Sequence, residues 1–372
     1  MPQHLVVSIS GHGFGHVAQT APILNILHER MPELHITVRS TVPPTHLHSR
    51  IHTPFTHLQS EGDIGMMMSS ALDVDVEKSL AAYQSFHANW GKYVADEAQL
   101  LRELKADFVF SNVGYLPLAG AQQAAIPNAA LCSLNWADIY RHYCGENEIT
   151  AQIHACYANA EAFLRATPGM EMPDFPNLMT ISPIAEIGAN RRDEINRKLS
   201  LSHDDKLVLV SMGGIISRLP IECWPRIEGV KWLVQNNWQV QHPDAIVLET
   251  LQMSFSDLLA SCDALICKPG YGSFAEAVCS SIPILYVNRP DWPESPALVA
   301  WLQQHGVCCE VSRNSLEQGE IAEVLEKIWD VKHPKPVIQD GATQVAEWLV
   351  QQLDTTDDPK SSEKRSGPSA KG

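Results

Sequence analysis

Lys268-Pro269-Gly270-Tyr271-Gly272-Ser273-Phe274-Ala275-Glu276 is the centre of the stretch around which the chain is organised, 256–298. Ahead of it Ala264-Leu265-Ile266-Cys267 is an apolar run of strand type, and behind it 274–281 carries small and apolar residues at helical spacing. A glycine turn therefore joins a strand to a helix. Pro269 has no N–H to give a sheet and closes the strand, Gly270 and Gly272 permit positive φ and close backbone approach, and Ser273 stands where an N-cap belongs. The first amides of such a helix lack intrahelical partners and the peptide dipoles add partial positive charge, so the turn attracts anions. A phosphate is the expected guest. Glu276, one turn in, is placed to reach a ribose hydroxyl pair, as an acidic residue does in dinucleotide folds. Taken alone, the same residues also describe an ordinary strand-to-helix turn.

The amino-terminal end repeats the pattern. Leu5-Val6-Val7-Ser8-Ile9 reads as a buried strand and runs straight into Gly11-His12-Gly13-Phe14-Gly15-His16, after which Ile23, Leu24, Ile26 and Leu27 fall at helical spacing. The glycines are spaced two and two, which departs from the dinucleotide fingerprint, and no Gly-Lys-Ser/Thr follows to make a P-loop. Strands over 35–41, 107–112 and 128–132 alternate with helices over 79–105 and 116–125, the signature of a parallel sheet wound with helices. A fresh strand over 206–211 ends in Met212-Gly213-Gly214, a further glycine turn at a strand's carboxyl end, where open α/β sheets bind ligands. Strands over 231–234, 245–248 and 307–311 and helices over 255–261, 295–305, 316–329 and 341–353 complete a second unit. The Pro- and Met-rich stretch 168–189 between the units reads as a linker. The expected class is α/β with two Rossmann-like domains, 1–182 and 183–353, facing across a cleft, and a polar tail, 354–372, that is expected to be disordered.

At 372 residues the chain exceeds one comfortable core, which agrees with two domains. Its formal net charge of -16 opposes binding to nucleic acid and to anionic membrane surfaces. Nine cysteines without a Cys-x-x-Cys pair read as reduced, mostly buried thiols. Neither a basic leader nor an apolar run long enough to span a bilayer is evident, so a cytoplasmic protein without an integral membrane segment is expected.

Several side chains are candidates for chemistry. His16, at a helix start on the cleft, has a pKa range suited to taking a proton from an attacking hydroxyl; it would equally serve by capping the helix. His12 and His16 have the spacing of a metal pair, but the glycines make His12 non-helical and no third ligand presents itself, so no metal is expected. His46, His48, His52 and His57 lie in a Pro- and Thr-rich segment that reads as a solvated loop. Asp63, Asp73 and Asp75 either line the cleft or face solvent, and Met66-Met67-Met68 would make an apolar lip. Arg218 is close enough to Gly213-Gly214 to assist a leaving phosphate.

With Gly270-Tyr271-Gly272-Ser273, Glu276 and a Pro-led strand over 283–287, this half of the chain resembles the donor-binding half of GT-B glycosyltransferases, such as the peptidoglycan-precursor GlcNAc transferase. It is more similar still to the N-terminal glycosyltransferase-like region of plant L-arabinokinase. That region shares the Lys-Pro-Gly-Tyr-Gly segment, a Glu-x-Pro here represented by Glu294-Ser295-Pro296, and a Gly-His-Gly-x-Gly-His start, over most of 1–310. The likeness does not extend to that enzyme's kinase half, whose Gly-rich phosphate motif is not found in these residues. One position departs: where an Asp is expected beside Trp136 the residue is Ala137, with Asp138 one place on.

The resemblance implies a nucleotide-diphosphate sugar bound between Gly213-Gly214 and Gly270, Tyr271, Gly272 and Ser273, with Glu276 on its ribose and Asp291 or Glu294 on its sugar hydroxyls. The loop after 249 would hold the base. His12, Gly13, Gly15 and His16 would face an unidentified acceptor, His16 as the catalytic base. No cofactor and no metal is implied. A nucleotide-sugar hydrolase or epimerase of the same fold, or a non-catalytic nucleotide-sugar-binding module, are the alternatives.

Overall fold

Short apolar runs separated by helical segments pair into two parallel sheets in the computed structural model, which describes residues 3–60, 62–214 and 218–356. The first half contains β1 (His4–Ile9), α1 (Gly15–Arg30), β2 (His35–Arg39), α2 (Pro44–Arg50), β3 (Thr56–Leu58), α3 (Val76–His87) and α4 (Trp90–Glu103). It continues with β4 (Phe108–Asn112), α5 (Tyr115–Ala124), β5 (Asn128–Cys132), α6 (Trp136–Cys144), α7 (Glu148–Ala158), β6 (Ala162–Ala166) and β7 (Leu178–Ile181). The second half contains α8 (Arg192–Leu199), β8 (Lys206–Ser211), β9 (Val230–Val234), β10 (Ala245–Val247), α9 (Phe255–Ala260), β11 (Ala264–Cys267) and α10 (Tyr271–Cys279). It ends with β12 (Ile284–Tyr286), α11 (Ser295–His305), β13 (Cys308–Glu310), α12 (Arg313–Gln318), α13 (Ala322–Trp329) and α14 (Gly341–Thr356).

The seven-stranded sheet runs β3-β2-β1-β4-β5-β6-β7 and the six-stranded sheet β10-β9-β8-β11-β12-β13. Both are parallel throughout, with Leu5 opposite Ile36 and Phe108 in the first and Leu265 opposite Leu209 and Ile284 in the second. Parallel strands covered on both faces need apolar side chains in both directions, and β1, β4, β8 and β11 supply them. The two-domain α/β architecture read from the sequence is the observed one. No helix among the described residues is long and apolar enough to cross a membrane.

The two halves are not independent bodies joined by a string. One apolar cluster runs from Val17, Ala21 and Leu24 of α1 to Phe274, Ala275 and Val278 of α10, and to Val345, Leu349 and Leu353 of α14. The final helix thus belongs in sequence to the second half and packs on the first, where Gln3 Nε2 reaches Leu353 O at 2.7 Å and Arg30 pairs with Glu347. Helices α1 and α10 meet so closely that a Cβ built on Gly272 would lie 2.9 Å from Cβ of Ala18. Gly272→Val is therefore expected to destabilise the protein by about 1–3 kcal/mol, because the helix backbones must part to admit it. A urea midpoint unchanged from the parent's would show that α1 and α10 do not hold each other this way.

Several local expectations change. The stretch taken as a linker contributes β7, whose Leu178 pairs opposite Phe163, so the crossing between sheets is confined to 182–191. Of the histidine-rich segment, His46 and His48 lie on a helix, α2, begun by Pro43-Pro44, and His57 lies in β3, while His52 is in an exposed loop as expected. The single helix expected over 79–105 is two, α3 and α4, and that over 316–329 breaks at Gly319, whose φ of +71° and contact with Trp224 both require glycine. Helix α14 continues to Thr356, past the expected start of the tail; the remainder of that tail, 357–372, lies outside the described residues.

Candidate functional site

In each sheet the strand order reverses at one place, between β1 and β4 in the first and between β8 and β11 in the second. Connections leaving the two strands at such a point go to opposite faces of the sheet and open a crevice at the carboxyl edge. The glycine loops read from the sequence follow those strands: 10–15 after β1, 212–214 after β8 and 268–270 after β11. They face one another across a cavity of about 560 Å³ lined by both halves, a size typical of small-molecule sites.

On the first side, His16 is the second residue of α1 and is buried, 7 % exposed. Its Nδ1 lies 2.9 Å from Asn112 Oδ1, at the end of β4. The amide of Asn112 is oriented by its other end, since Nδ2 donates to His16 O, Gln19 Oε1 and Thr20 Oγ1. An oxygen therefore faces the imidazole, Nδ1 carries the proton, and Nε2 keeps the lone pair. Burial pushes His16 down to about 4, opposed only by the bond to Asn112, so the ring is neutral at neutral pH. His12 is held differently. Its Nε2 meets Met66 O at 3.0 Å, its ring lies parallel to Trp292 at 5.7 Å, and burial with repulsion from His16 and Arg289 pushes it down to about 3.

On the second side, Gly213 has φ of +83°, where a side chain would be strained, and Gly214 lies beneath the ring of Phe14, with no room for a Cβ. Helix α10 starts at Tyr271 with Gly270 as its N-cap. Gly270 is extended, φ −164°, not positive, and Ser273 is the third residue of the helix, not its cap. The first intrahelical bond runs from Phe274 N to Gly270 O, which leaves the amides of Tyr271, Gly272 and Ser273 without a helical acceptor at the cavity wall. Lys268 folds back over this turn, its Nζ within 4.0 Å of the Cβ positions of both Gly213 and Gly270. Burial and the neighbouring Arg289 push Lys268 down to about 8, against the pull of Glu294. Arg289 stacks on Trp292 at 4.1 Å and donates to Leu72 O and Met68 Sδ, and burial brings it down to about 10. Among the described residues neither cation has a carboxylate partner within ion-pair distance.

The carboxylates of this side are already engaged. Glu294 accepts from Ser133 Oγ at 2.6 Å and Trp292 Nε1 at 3.2 Å, and burial pushes its carboxyl up. Since Gln19 Nε2 donates to Ser133 Oγ, a chain of hydrogen bonds runs from His16 through Asn112, Gln19 and Ser133 to Glu294 across the cleft. Glu276 is buried and held by Arg50 of α2, Nη1 to Oε1 at 2.7 Å and Nη2 to Oε2 at 3.1 Å.

The structure thus brings His12, Gly13, Gly15, His16, Gly213, Gly214, Gly270, Tyr271, Gly272, Ser273, Glu276 and Glu294 to one cavity. The hydroxyl of Tyr271 is turned into the interface, accepting from Ile184 N and donating to Thr167 O. Asp291 is not in the cavity: its side chain is exposed, and its carbonyl accepts from Tyr143 Oη. Arg218 is also elsewhere, tied to Glu222 and to Trp238 O. Asp75 caps α3, Asp73 pairs with Arg313, and Asp138 pairs with Arg141. Asp63 lies behind the first loop, holding Trp136 Nε1 and Ser10 Oγ.

Lys268, Arg50, Arg289 and Asn112 were given no role in the sequence reading, and His46 was placed in a solvated loop. His46 and Arg50 stand four apart after Pro43-Pro44, a helix-start signal that would have put both on one face. His46 stacks on Phe14 at 3.8 Å, and burial pushes it down to about 4.

No family model matches the chain. L-arabinokinase of Arabidopsis thaliana is 25% identical over 340 residues, 89% of this chain. An uncharacterized glycosyltransferase of Methanopyrus kandleri is 27% identical over 166 residues, 40% of this chain. The chain spans 32% of the length of the first and 46% of the second. Among solved structures, the glycotransferase of kitacinnamycin superposes with a TM-score of 0.57 at 13% identity, covering 95% of this chain and 96% of that one. The fold is that of the GT-B glycosyltransferases. A UDP-N-acetylglucosamine 2-epimerase also superposes, with a TM-score of 0.53 at 11% identity over 95% of this chain and 98% of that one, so a GT-B cleft is not by itself a reaction.

Proposed function

We propose that the protein is a glycosyltransferase that moves a sugar from a nucleotide-diphosphate sugar to an acceptor hydroxyl. The observation that carries the reading is the opposition, in one cavity, of a neutral histidine whose Nδ1 is committed to Asn112 and an anion cradle whose cations have no carboxylate partner among the described residues. The diphosphate lies over Gly213-Gly214 and the amides of Gly270 to Ser273, with Lys268 and Arg289 meeting its charge and Glu294 on the sugar hydroxyls. The acceptor oxygen attacks the anomeric carbon, the bond to the β-phosphate oxygen breaks with its electron pair leaving on the diphosphate, and His16 Nε2 takes the acceptor's proton. Glu276 binds the ribose. Asp291, exposed and outside the cavity, is given no role in this reading.

Because fixed cations and amides neutralise the leaving group, this reading requires no divalent ion. Purified protein incubated with a panel of nucleotide sugars is expected to release nucleoside diphosphate from one of them at least about tenfold faster when an extract containing acceptors is added, and equally in EDTA. Release at the same rate without acceptor would replace transfer by hydrolysis, and a sugar product altered without release by epimerisation. Abolition by EDTA, restored by one divalent ion, would overturn the account of the leaving group.

A further inference from the structure

The carboxylate assigned to the ribose does not stand alone in its domain. Arg50 arrives from α2 of the first half, forms both bonds to Glu276, and with the same Nη1 touches Glu186 Oε2 at 2.9 Å in the crossing segment. Glu186 is fixed in turn by Ser256 Oγ at 2.7 Å. The guanidinium takes one acceptor direction from each oxygen of Glu276, and a carboxylate has about four. Two remain, one on each oxygen, which is the number a vicinal diol needs. Arg50 and Glu276 both line the cavity.

We propose that Arg50 is a positioning residue for the donor's ribose, which fixes the plane of the Glu276 carboxylate so that the 2′- and 3′-hydroxyls can donate to it. This rests on the transferase reading above, and specifically on Glu276 as the ribose ligand. The groups facing Glu276 are Arg50 of α2, Glu186 of the crossing segment and Cys279 of its own helix, with His46 facing Arg50. Of these only Arg50 favours the charged carboxylate, while burial and Glu186 push its proton affinity up. Without Arg50, burial and Glu186 would act on Glu276 unopposed, and both favour its protonated form. The donor site is therefore completed by a residue outside the domain that carries the glycine turn.

Calorimetry decides it, with the nucleoside diphosphate of the four common bases that the parent binds tightest, its 2′,3′-dideoxy analogue, and pyrophosphate. Arg50→Met is expected to weaken the nucleoside diphosphate about 30-fold while leaving the dideoxy analogue and pyrophosphate within about twofold, since the loss falls on charge-assisted bonds to the diol. The loss in Arg50→Met should shrink as pH rises and Glu276 ionises, a trend weaker in the parent; Arg50→Lys, which keeps the charge, should recover most of the affinity. Parallel losses for all three ligands in both variants would assign Arg50 to the fold and overturn the proposal. Full affinity in Arg50→Met, with Glu276→Gln still discriminating against the diol, would overturn the role of Arg50 alone. A parent that binds nucleoside diphosphate and dideoxy analogue equally, or binds none of them, would overturn the ribose assignment and this proposal with it.

Discussion

His16→Ala is expected to lower turnover by about two to four orders of magnitude while donor affinity stays within about twofold. The separation follows from position: the ring belongs to the first sheet's loop, and the anion cradle belongs to the second's. Asn112 supplies orientation without charge, so the imidazolium formed in the reaction gains no carboxylate beside Nδ1, unlike a base of the Ser-His-Asp kind. With the ring held down to about 4, the base form is present throughout the neutral range. Turnover is expected to stay level from about pH 9 to 5 as far as this group is concerned and to fall below that as Nε2 is protonated. The same shift acts on stability. A histidine neutral in the fold and free to charge at 6.5 when unfolded favours unfolding as pH falls below 6.5, so the parent loses acid stability that the alanine variant does not lose through this group. Melting temperature, donor affinity and turnover measured on one preparation separate the roles. Unchanged turnover removes the base assignment, and a loss matched by a lowered melting temperature and weakened donor binding makes the residue structural.

Lys268→Met is expected to weaken nucleoside diphosphate and pyrophosphate together by about two orders of magnitude, the scale for removing one partner of a desolvated charge pair. Joint loss is the distinguishing mark, since the lysine addresses phosphate and not ribose. Its pH dependence carries a sign. With the free group at about 8, bound anion holds the proton on, so affinity in the parent should be level below about pH 7 and fall by up to tenfold per unit above 8. The variant should lack that fall. A parent whose affinity for pyrophosphate is flat to pH 9.5, or a variant that binds it undiminished, would place the diphosphate away from Lys268 and leave Arg289 and the helix amides to hold it.

The strands and the glycine turns were legible because parallel strands buried on both faces have unbroken apolar runs, and Lys206 to Ser211 or Ala264 to Cys267 admit no other placement. The site was legible where it is made of backbone, at Gly213 and at Gly270 to Ser273. It was not legible where distant side chains converge. Nothing local in Asn112 says that its amide will orient His16 from 96 residues away. Arg50 looked like the end of a polar segment because its partner, Glu276, is 226 residues on. Asp291 and Glu294 were indistinguishable in sequence, and the short loop before α11 turns one outward and the other inward.

The chain passes between the halves twice, at 182–191 and again before α14, and the two passages are bonded to each other. Gly341 N donates to Pro183 O, Ser182 N donates to Gln344 Oε1, and Gln344 Nε2 returns to Ser182 Oγ. Two connections tied at one point have a single pivot. The knot fastens the halves along one side, as a spine does a book, next to the hydroxyl of Tyr271 in α10, which accepts from Ile184 N. The halves are also joined across the cleft by Ser133 to Glu294, Leu72 to Arg289 and Asp73 to Arg313. A donor of the proposed kind, if it enters by parting these contacts, would free Arg289 and Glu294 together, so its admission and the release of the groups proposed to meet its diphosphate and its sugar would be one event.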